Sequence, residues 1–259
     1  MSLVISVVTQ KGGVGKTTTV NALSSSLNKR GARVLSVDMD PQSNLSFSTG
    51  ADFDTQPTVY DVMRKKIETQ DAIQRRCMTD IIPSNILLSG IELEFTGKNR
   101  EFLLKNSLAG VSRFYDYILI DSPPGLGILT VNALAACDYV IIPMTPDIFS
   151  LQGLQLVYET IAHIRQSINP DIKIAGILVN KYNKRSKLHC EVCATANMIS
   201  QSLDIPIFGT YIRNSYSLAE AQSLQRDIHE YARKSAGAKD FCALAEEISK
   251  IDTARSNGF

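Results

Sequence analysis

The most informative stretch of this sequence is Lys11-Gly12-Gly13-Val14-Gly15-Lys16-Thr17-Thr18-Thr19, which lies between a short apolar run and a helical stretch. Its three glycines let the backbone turn tightly and present successive N–H groups to an anion at a helix start. The lysine and threonine after the last glycine suit nucleotide phosphates and a magnesium ion. The stretch therefore predicts a phosphate-binding turn, and the register of Gly-Lys-Thr disfavours a glycine-rich turn without a ligand.

Short, nearly continuous apolar runs recur along the chain, as expected of strands buried on both faces of a sheet. They span residues 3–8, 33–37, 79–82, 117–120, 139–142 and 172–179. Amphipathic helical stretches lie between them, for example at 150–168, where Asn169-Pro170 predicts the helix end. The alternation predicts an α/β fold, a mostly parallel twisted sheet flanked by helices on both faces, with ligands at the carboxyl ends of its strands.

The composition is that of a soluble globular protein, with 44% hydrophobic and 20% charged residues among 259. With no linker or repeat in view, we expect one domain over residues 1–259, with 251–259 as a frayed tail. Lys plus Arg total 27 against 26 for Asp plus Glu, so nucleic-acid binding requires a local cationic patch. Five irregularly spaced cysteines favour a reducing compartment, and without a signal peptide or membrane span we expect a cytoplasmic protein.

The phosphate-binding stretch departs from the common P-loop pattern at one position, because Gln10 stands where glycine is usual and Lys11 follows it. The string Gln10 to Thr18 resembles the deviant Walker A motif of the ParA/MinD family of P-loop ATPases. The resemblance extends over nearly the whole chain, and its further motifs are Val37-Asp38-Met39-Asp40-Pro41-Gln42, Asp121-Ser122-Pro123-Pro124-Gly125, Ile82-Pro83-Ser84-Asn85 and Gly90-Ile91-Glu92-Leu93-Glu94. The Asp-Met-Asp-Pro-Gln form is similar to that of the ParA/Soj partition branch.

The resemblance implies a P-loop NTPase of the deviant Walker A type, a magnesium-dependent ATPase that forms a homodimer on binding ATP. It implies ATP binding by Lys11, Gly12, Gly13, Val14, Gly15, Lys16, Thr17 and Thr18. It implies that Thr17 and Asp121 hold Mg²⁺, the latter through water. It implies catalytic roles for Lys11, Lys16, Asp40 and Asp121, with Lys11 reaching the partner's nucleotide and Asp40 acting in hydrolysis.

Each of these side chains also has a purely structural interpretation. Lys11 is open to interpretation as a solvated loop lysine, Asp40 as a turn former before proline, and Asp121 as a helix N-cap. Asp38 is expected close to Asp40, in support, and Gly125 to leave room for the γ-phosphate. The sequence by itself leaves both interpretations of each residue open.

Recognition of the base is less clearly marked in the sequence. Asn180-Lys181-Tyr182-Asn183 resembles the guanine-binding N-K-x-D of GTPases, but Asn183 lacks the carboxylate that accepts both guanine donors. The pattern therefore disfavours GTP. Asn180 stands at a strand end where related ATPases contact adenine, and we predict it as an ATP-binding residue.

A cationic run follows this strand. Residues 181–187 contain Lys181, Lys184, Arg185 and Lys187, a density that suits DNA phosphates and carries no base specificity. Arg185 falls where the partition family places a DNA-contacting arginine, so we predict Arg185, Lys181 and Lys184 as DNA-binding residues, and a nucleoid-associated protein. Ser217 replaces a second such arginine, and a merely solvated charged loop remains the alternative.

The resemblance also implies partners, namely non-specific DNA in the ATP state and a ParB-like centromere-binding protein that stimulates hydrolysis. Because the sequence begins directly at its first predicted strand, we expect no N-terminal helix-turn-helix and no autorepression by operator binding.

Two alternative functions stay open at this point. A MinD-like membrane switch needs a basic amphipathic tail, whereas the last helix, with Phe241, Leu244 and Ile248 on one face, is typical of core packing. An ATPase that transfers electrons through an iron–sulfur cluster at a dimer interface is the second alternative; His189-Cys190-Glu191-Val192-Cys193 suggests such a cluster or a zinc site, but the sequence lacks a second pair of ligands.

Overall fold

The structure is a computed structural model that describes residues 2–76 and 78–256. Its strands are β1 Leu3–Val7, β2 Val34–Asp38, β3 Gln74–Arg75, β4 Asp80–Ile82, β5 Tyr117–Asp121, β6 Tyr139–Met144 and β7 Lys173–Val179. Its helices are α1 Lys16–Lys29, α2 Asn44–Ser48, α3 Val59–Met63, α4 Ile91–Glu94, α5 Leu103–Leu108, α6 Ile128–Ala136, α7 Ile148–Ser167, α8 Lys187–Leu203, α9 Tyr216–Ser223, α10 Ile228–Tyr231 and α11 Ala236–Ser256. Short 3₁₀ turns lie at Thr69–Ala72, Ile86–Gly90, Arg100–Phe102 and Ser112–Phe114.

The seven strands form one sheet in the order β3-β4-β2-β5-β1-β6-β7. All neighbouring pairs are parallel except β3 with β4, which confirms the predicted α/β fold. The residues of β1 alternate between the two faces of the sheet: Leu3, Ile5 and Val7 pack in the core cluster that includes residues of α1 and α11. Val4 packs against the clusters on the opposite face.

β3 was not predicted, because its two residues are polar and carry no apolar run. The boundaries of the longer elements differ slightly from those predicted. Helix α7 begins at Ile148 rather than at residue 150, because the Asp147 carboxylate accepts a hydrogen bond from the Ser150 N–H (3.0 Å) and caps the helix.

The last helix corrects the expected tail, since α11 continues through Ser256 instead of fraying from residue 251; residues 257–259 lie outside the described part of the chain. Ile251 packs against the core cluster that includes residues of β1, α1 and α11. The Tyr117 hydroxyl donates to the Asp252 carboxylate (3.2 Å). These contacts hold the final turns of the helix on the sheet.

The apolar face of α11 is part of the core. Phe241, Leu244 and Ile248 are at most 1% exposed, and α11 packs along α1. A helix with its apolar face covered in this way has none of that face left for a lipid surface. In residues 2–76 and 78–256, every helix is too short or too polar to span a bilayer.

Candidate functional site

The phosphate loop joins β1 to α1 at the carboxyl edge of the sheet. Gly13 and Gly15 adopt positive φ angles of 74° and 95°, a region that favours glycine. A Cβ on Gly15 would lie 2.9 Å from the Asn180 amide nitrogen, so the loop is closely packed from behind.

Asn180 follows β7 and supports this loop. Its amide nitrogen donates to the Val14 carbonyl (2.9 Å) and to the Thr19 hydroxyl (3.3 Å), while its amide oxygen is buried without a partner among the described residues. The side chain is 4% exposed. Asn180, predicted as a contact of the base, therefore reaches the loop through its amide nitrogen.

Lys16 begins α1 and is 8% exposed. Burial lowers the pKa of its ammonium, and the nearby carboxylates of Asp121 and Asp40 act in the opposite direction. The Lys16 side chain lines the cavity on the phosphate loop. An anion bound there would compensate the ammonium for the hydration that burial removes.

The carboxyl ends of β2 and β5 place two aspartates side by side, since Asp38 pairs in register with Asp121. The Thr17 hydroxyl donates to one Asp121 oxygen (2.7 Å), and the other oxygen is buried and unpartnered in the described structure. Burial first, and then the Asp38 carboxylate, raise the pKa of Asp121 well above its usual range. A hydroxyl beside an orphaned carboxylate oxygen fits Mg²⁺, which prefers oxygen ligands.

Asp38 and Asp40 have different environments. Asp38 is fully buried and accepts from the Asp40 N–H (3.0 Å), the Ser46 N–H (2.9 Å) and the Ser46 hydroxyl (2.7 Å). Burial raises its pKa to about 6 despite these hydrogen bonds. Asp40 accepts from the Gln42 N–H (3.0 Å), as a turn former does, and also lines the cavity with Lys16. The structural and the functional interpretations of Asp40 are therefore compatible.

Lys11 is bound within its own chain. Its ammonium donates to both oxygens of Asp147 (2.8 and 2.7 Å) and lies 6.0 Å from the ring centre of Phe149. Burial alone would raise the pKa of Asp147, but hydrogen bonds from Lys11, Thr145 and Ser150 outweigh it and lower the pKa to about 2. The sequence did not reveal Asp147 as the partner of Lys11; the available signal was its position three residues after β6, at the edge where ligands bind.

Two adjoining cavities lie over this edge. One, of about 460 Å³, covers the phosphate loop, and its wall also includes Gln42, Phe47, Pro124 and Gln222. The other, of about 270 Å³, lies between the loop and Tyr216, and both Asn180 and Asn214 line it. Gly125 has a φ of 115°, and a Cβ built there would meet no atom within 4 Å. Tyr216 and Gln222 were missed because no motif marks them.

The three predicted DNA-binding cations line one cleft, but the ammonium of Lys181 contacts the phosphate loop. Lys184 and Arg185 are exposed on the loop before α8, beside a cleft of about 530 Å³ that Tyr182 and His189 also line. The ammonium of Lys181 instead donates to the Gly13 carbonyl (2.8 Å), on the phosphate loop.

Cys190 and Cys193 lie on α8, the first exposed and the second buried. Among residues 2–76 and 78–256, no three His, Cys, Asp or Glu side chains are grouped so that they could hold a metal. The described structure thus offers no observation in favour of an iron–sulfur or zinc site.

Comparison with known proteins adds three findings. Residues 2–174 match a family model described as an AAA domain. The chain is 35% identical to the chromosome partitioning protein ParA of Myxococcus xanthus (98% of this chain, 90% of that protein) and 36% identical to the sporulation initiation inhibitor protein Soj of Bacillus subtilis (96% and 99%). A crystal structure of cobyrinic acid a,c-diamide synthase from Mycobacterium smegmatis with bound ATP analog and magnesium matches with a TM-score of 0.85 at 33% identity (95% and 93%).

The packing of Gly15 generates a first prediction. Gly15→Ala adds a methyl group where φ is 95° and the Asn180 amide is 2.9 Å away, so either the loop or the Asn180 side chain that supports it must shift. Left-handed backbone costs alanine about 1–2 kcal/mol, and we expect ATP affinity, measured by calorimetry, to fall roughly tenfold or more. Gly97→Ala, at a glycine with open space around it, is the control. Equal affinities of both variants would contradict this account of the loop.

The raised pKa values of Asp38 and Asp121 generate a second prediction. A carboxyl group whose pKa is raised holds its proton to higher pH, whereas Mg²⁺ needs the ionised form. We expect binding of Mg·ATP to release a proton, and its affinity to rise as the pH is raised from 6 to 8. Calorimetry in two buffers of different ionisation enthalpy measures the release, with ATP in EDTA as the control. Identical apparent enthalpies in the two buffers would refute it.

Proposed function

The chain belongs to the ParA/Soj partition branch of the ParA/MinD P-loop ATPases, and on that basis we propose that it is a partition switch driven by ATP. In this proposal the whole chain acts as one ATPase domain that dimerises around Mg·ATP, binds DNA non-specifically in that state and is reset by hydrolysis. The observation that carries the proposal is the convergence of Lys16, Thr17, Asp40 and Asp121 beneath one glycine-rich loop.

We assign the nucleotide to the two adjoining cavities. The amides of the loop and the ammonium of Lys16 would bind the phosphates, and the smaller cavity beside Asn180 would take the base. Thr17 and Asp121 would hold Mg²⁺, which supplies charge neutralisation on the phosphate oxygens when bound. The ATP analog and the magnesium that are bound in the M. smegmatis structure support this assignment by analogy.

Asp40 is our candidate for positioning the attacking water and accepting its proton. It is 6% exposed, and its carboxylate is fixed by the Gln42 N–H at the edge of the cavity. A carboxylate held in this way needs little rearrangement before it accepts a proton. Asp38 supports it by accepting a hydrogen bond from its backbone N–H.

Dimerisation is supported by the surface around Lys11. The side chains of the Lys11–Asp147 pair are 35% and 33% exposed, and such ion pairs contribute about 0–1 kcal/mol, so a partner's triphosphate can compete for the lysine. Next to it, Ile148 and Phe149 are 62% and 72% exposed. An apolar patch beside a cation suited to phosphate fits a second copy of this chain.

The oligomeric state tests the switch. We expect Asp40→Ala to accumulate as a dimer with Mg·ATP, because it binds the nucleotide without hydrolysing it, and Lys16→Ala to stay monomeric because phosphate binding is lost. Size-exclusion chromatography with light scattering, with and without ATP, gives the measurement. Hydrolysis by Asp40→Ala at the wild-type rate would show that the water-positioning residue lies elsewhere.

DNA binding rests on the exposed loop before α8. Lys184 and Arg185 project from a chain whose net charge is only +1, so their attraction for DNA is local. A dimer would present two such loops, which explains why ATP would strengthen binding. We further propose that a ParB-like protein stimulates hydrolysis, and that the DNA-bound form lies on the nucleoid.

Arg185→Ala tests the DNA surface. Removing one phosphate contact should weaken DNA binding in the ATP state and reduce the slope of log affinity against log salt by about one for each site lost. Arg76→Ala, at an exposed arginine next to the edge strand β3, is the matched control. Gel shifts that are absent, or that do not respond to salt, in both wild type and Arg185→Ala would refute non-specific DNA binding.

A further inference from the structure

Lys181 differs from the other cations of its loop. Its backbone adopts a φ of 55°, and its ammonium donates to the Gly13 carbonyl (2.8 Å) on the phosphate loop. Lys184 and Arg185, only a few residues further on, are exposed beside the cleft of about 530 Å³. One side chain of the predicted DNA-binding set thus contacts the nucleotide site.

Its position is shared by three cavities. Lys181 lines the cavity over the phosphate loop, the smaller cavity beside Asn180, and the cleft that Lys184 and Arg185 line. No other described residue is common to the linings of these three. The wall between the candidate nucleotide site and the candidate DNA surface is therefore formed in part by this one side chain.

The backbone on both sides of Lys181 is fixed. The Asn180 N–H donates to the Met144 carbonyl (2.7 Å), and the Tyr182 N–H donates to the Ile212 carbonyl (2.9 Å). Further on, the Asn183 N–H donates to the His189 ring (3.1 Å) at the start of α8. These hydrogen bonds restrain residues 180–183, so a movement of Lys181 would also displace the residues that follow it.

Phosphates bound in the loop would introduce negative charge next to the Gly13 carbonyl, where the ammonium of Lys181 lies. An exposed ammonium is mobile enough to turn toward such oxygens. Its binding there would act through the anchored residues 180–183 on the exposed Lys184 and Arg185 that follow them, and restrict those two. A cationic loop that is ordered beforehand loses less entropy when it binds DNA.

We propose that Lys181 is a positioning residue that couples occupancy of the phosphate loop to the conformation of residues 181–187, and so to DNA affinity, within one protomer. The coupling to DNA rests on the proposed function. The contact itself needs only nucleotide binding. Because coupling between binding sites is reciprocal, DNA must raise ATP affinity by the same factor by which ATP raises DNA affinity.

Lys181→Met tests the contact, because it keeps the aliphatic stem and removes the ammonium; Lys184→Met is the matched control on the same loop. Hydrogen exchange of residues 180–187 is measured with and without a non-hydrolysable ATP analogue. We expect the analogue to protect this segment in wild type and Lys184→Met but not in Lys181→Met, with Lys181→Arg restoring protection. Unchanged protection in Lys181→Met, or loss of its ATP binding altogether, would overturn the proposal.

DNA affinity, measured with and without the analogue, separates coupling from simple charge. Lys184→Met should weaken DNA binding in both states, and more in the ATP state because each of the two loops of a dimer loses a contact; its change in the ratio is the reference for lost charge. Lys181→Met should reduce the ratio at least about fivefold more than Lys184→Met does, the lower range of typical coupling. A reduction no larger than that of Lys184→Met would make Lys181 an ordinary DNA cation and refute the coupling. If wild type binds no DNA in either state while Lys181→Met loses exchange protection, the proposed function fails and the contact stands.

Discussion

Four ionisable groups at the carboxyl edge of the sheet share one poorly hydrated space. Lys16, Asp38, Asp40 and Asp121 are each at most 8% exposed, so their charges are screened weakly by water. Three carboxyl groups share this space with one ammonium, which leaves an excess of negative charge. Burial first, and then the neighbouring carboxylates, raise the pKa values of Asp38 and Asp121. A divalent cation relieves this excess, which is why the geometry of the site suits a magnesium-bound nucleotide.

The topology of the sheet makes this concentration of charge possible. β2, β5 and β1 are adjacent and parallel, so the residues at their carboxyl ends come together from three distant parts of the sequence. Every residue of β2 and β5 is buried, so water has little access to these groups along the two strands. The same edge carries the asparagine after β7 and the aspartate after β6, so support of the loop and binding of Lys11 come from neighbouring strand ends.

The sequence was sufficient to predict the sheet, the phosphate loop and the carboxylates after β2 and β5, because buried parallel strands and glycine-rich turns have strong local signals. It did not reveal the Asp147 partner of Lys11 or the attachment of Lys181 to Gly13. Both contacts join residues more than 130 positions apart, and a charged side chain carries no sign of the direction in which it points. The short strand β3 and the full length of α11 were missed for a related reason, since tertiary contacts rather than local preference determine them.

The contact between Gly15 and Asn180 constrains how this sequence can change over time. Gly15 has no side chain to give up, and its φ of 95° strains any other residue there whatever stands at position 180. Accommodation is therefore one-sided: the glycine should stay invariant over evolutionary time, while only position 180 is free to vary among side chains that leave its backbone room.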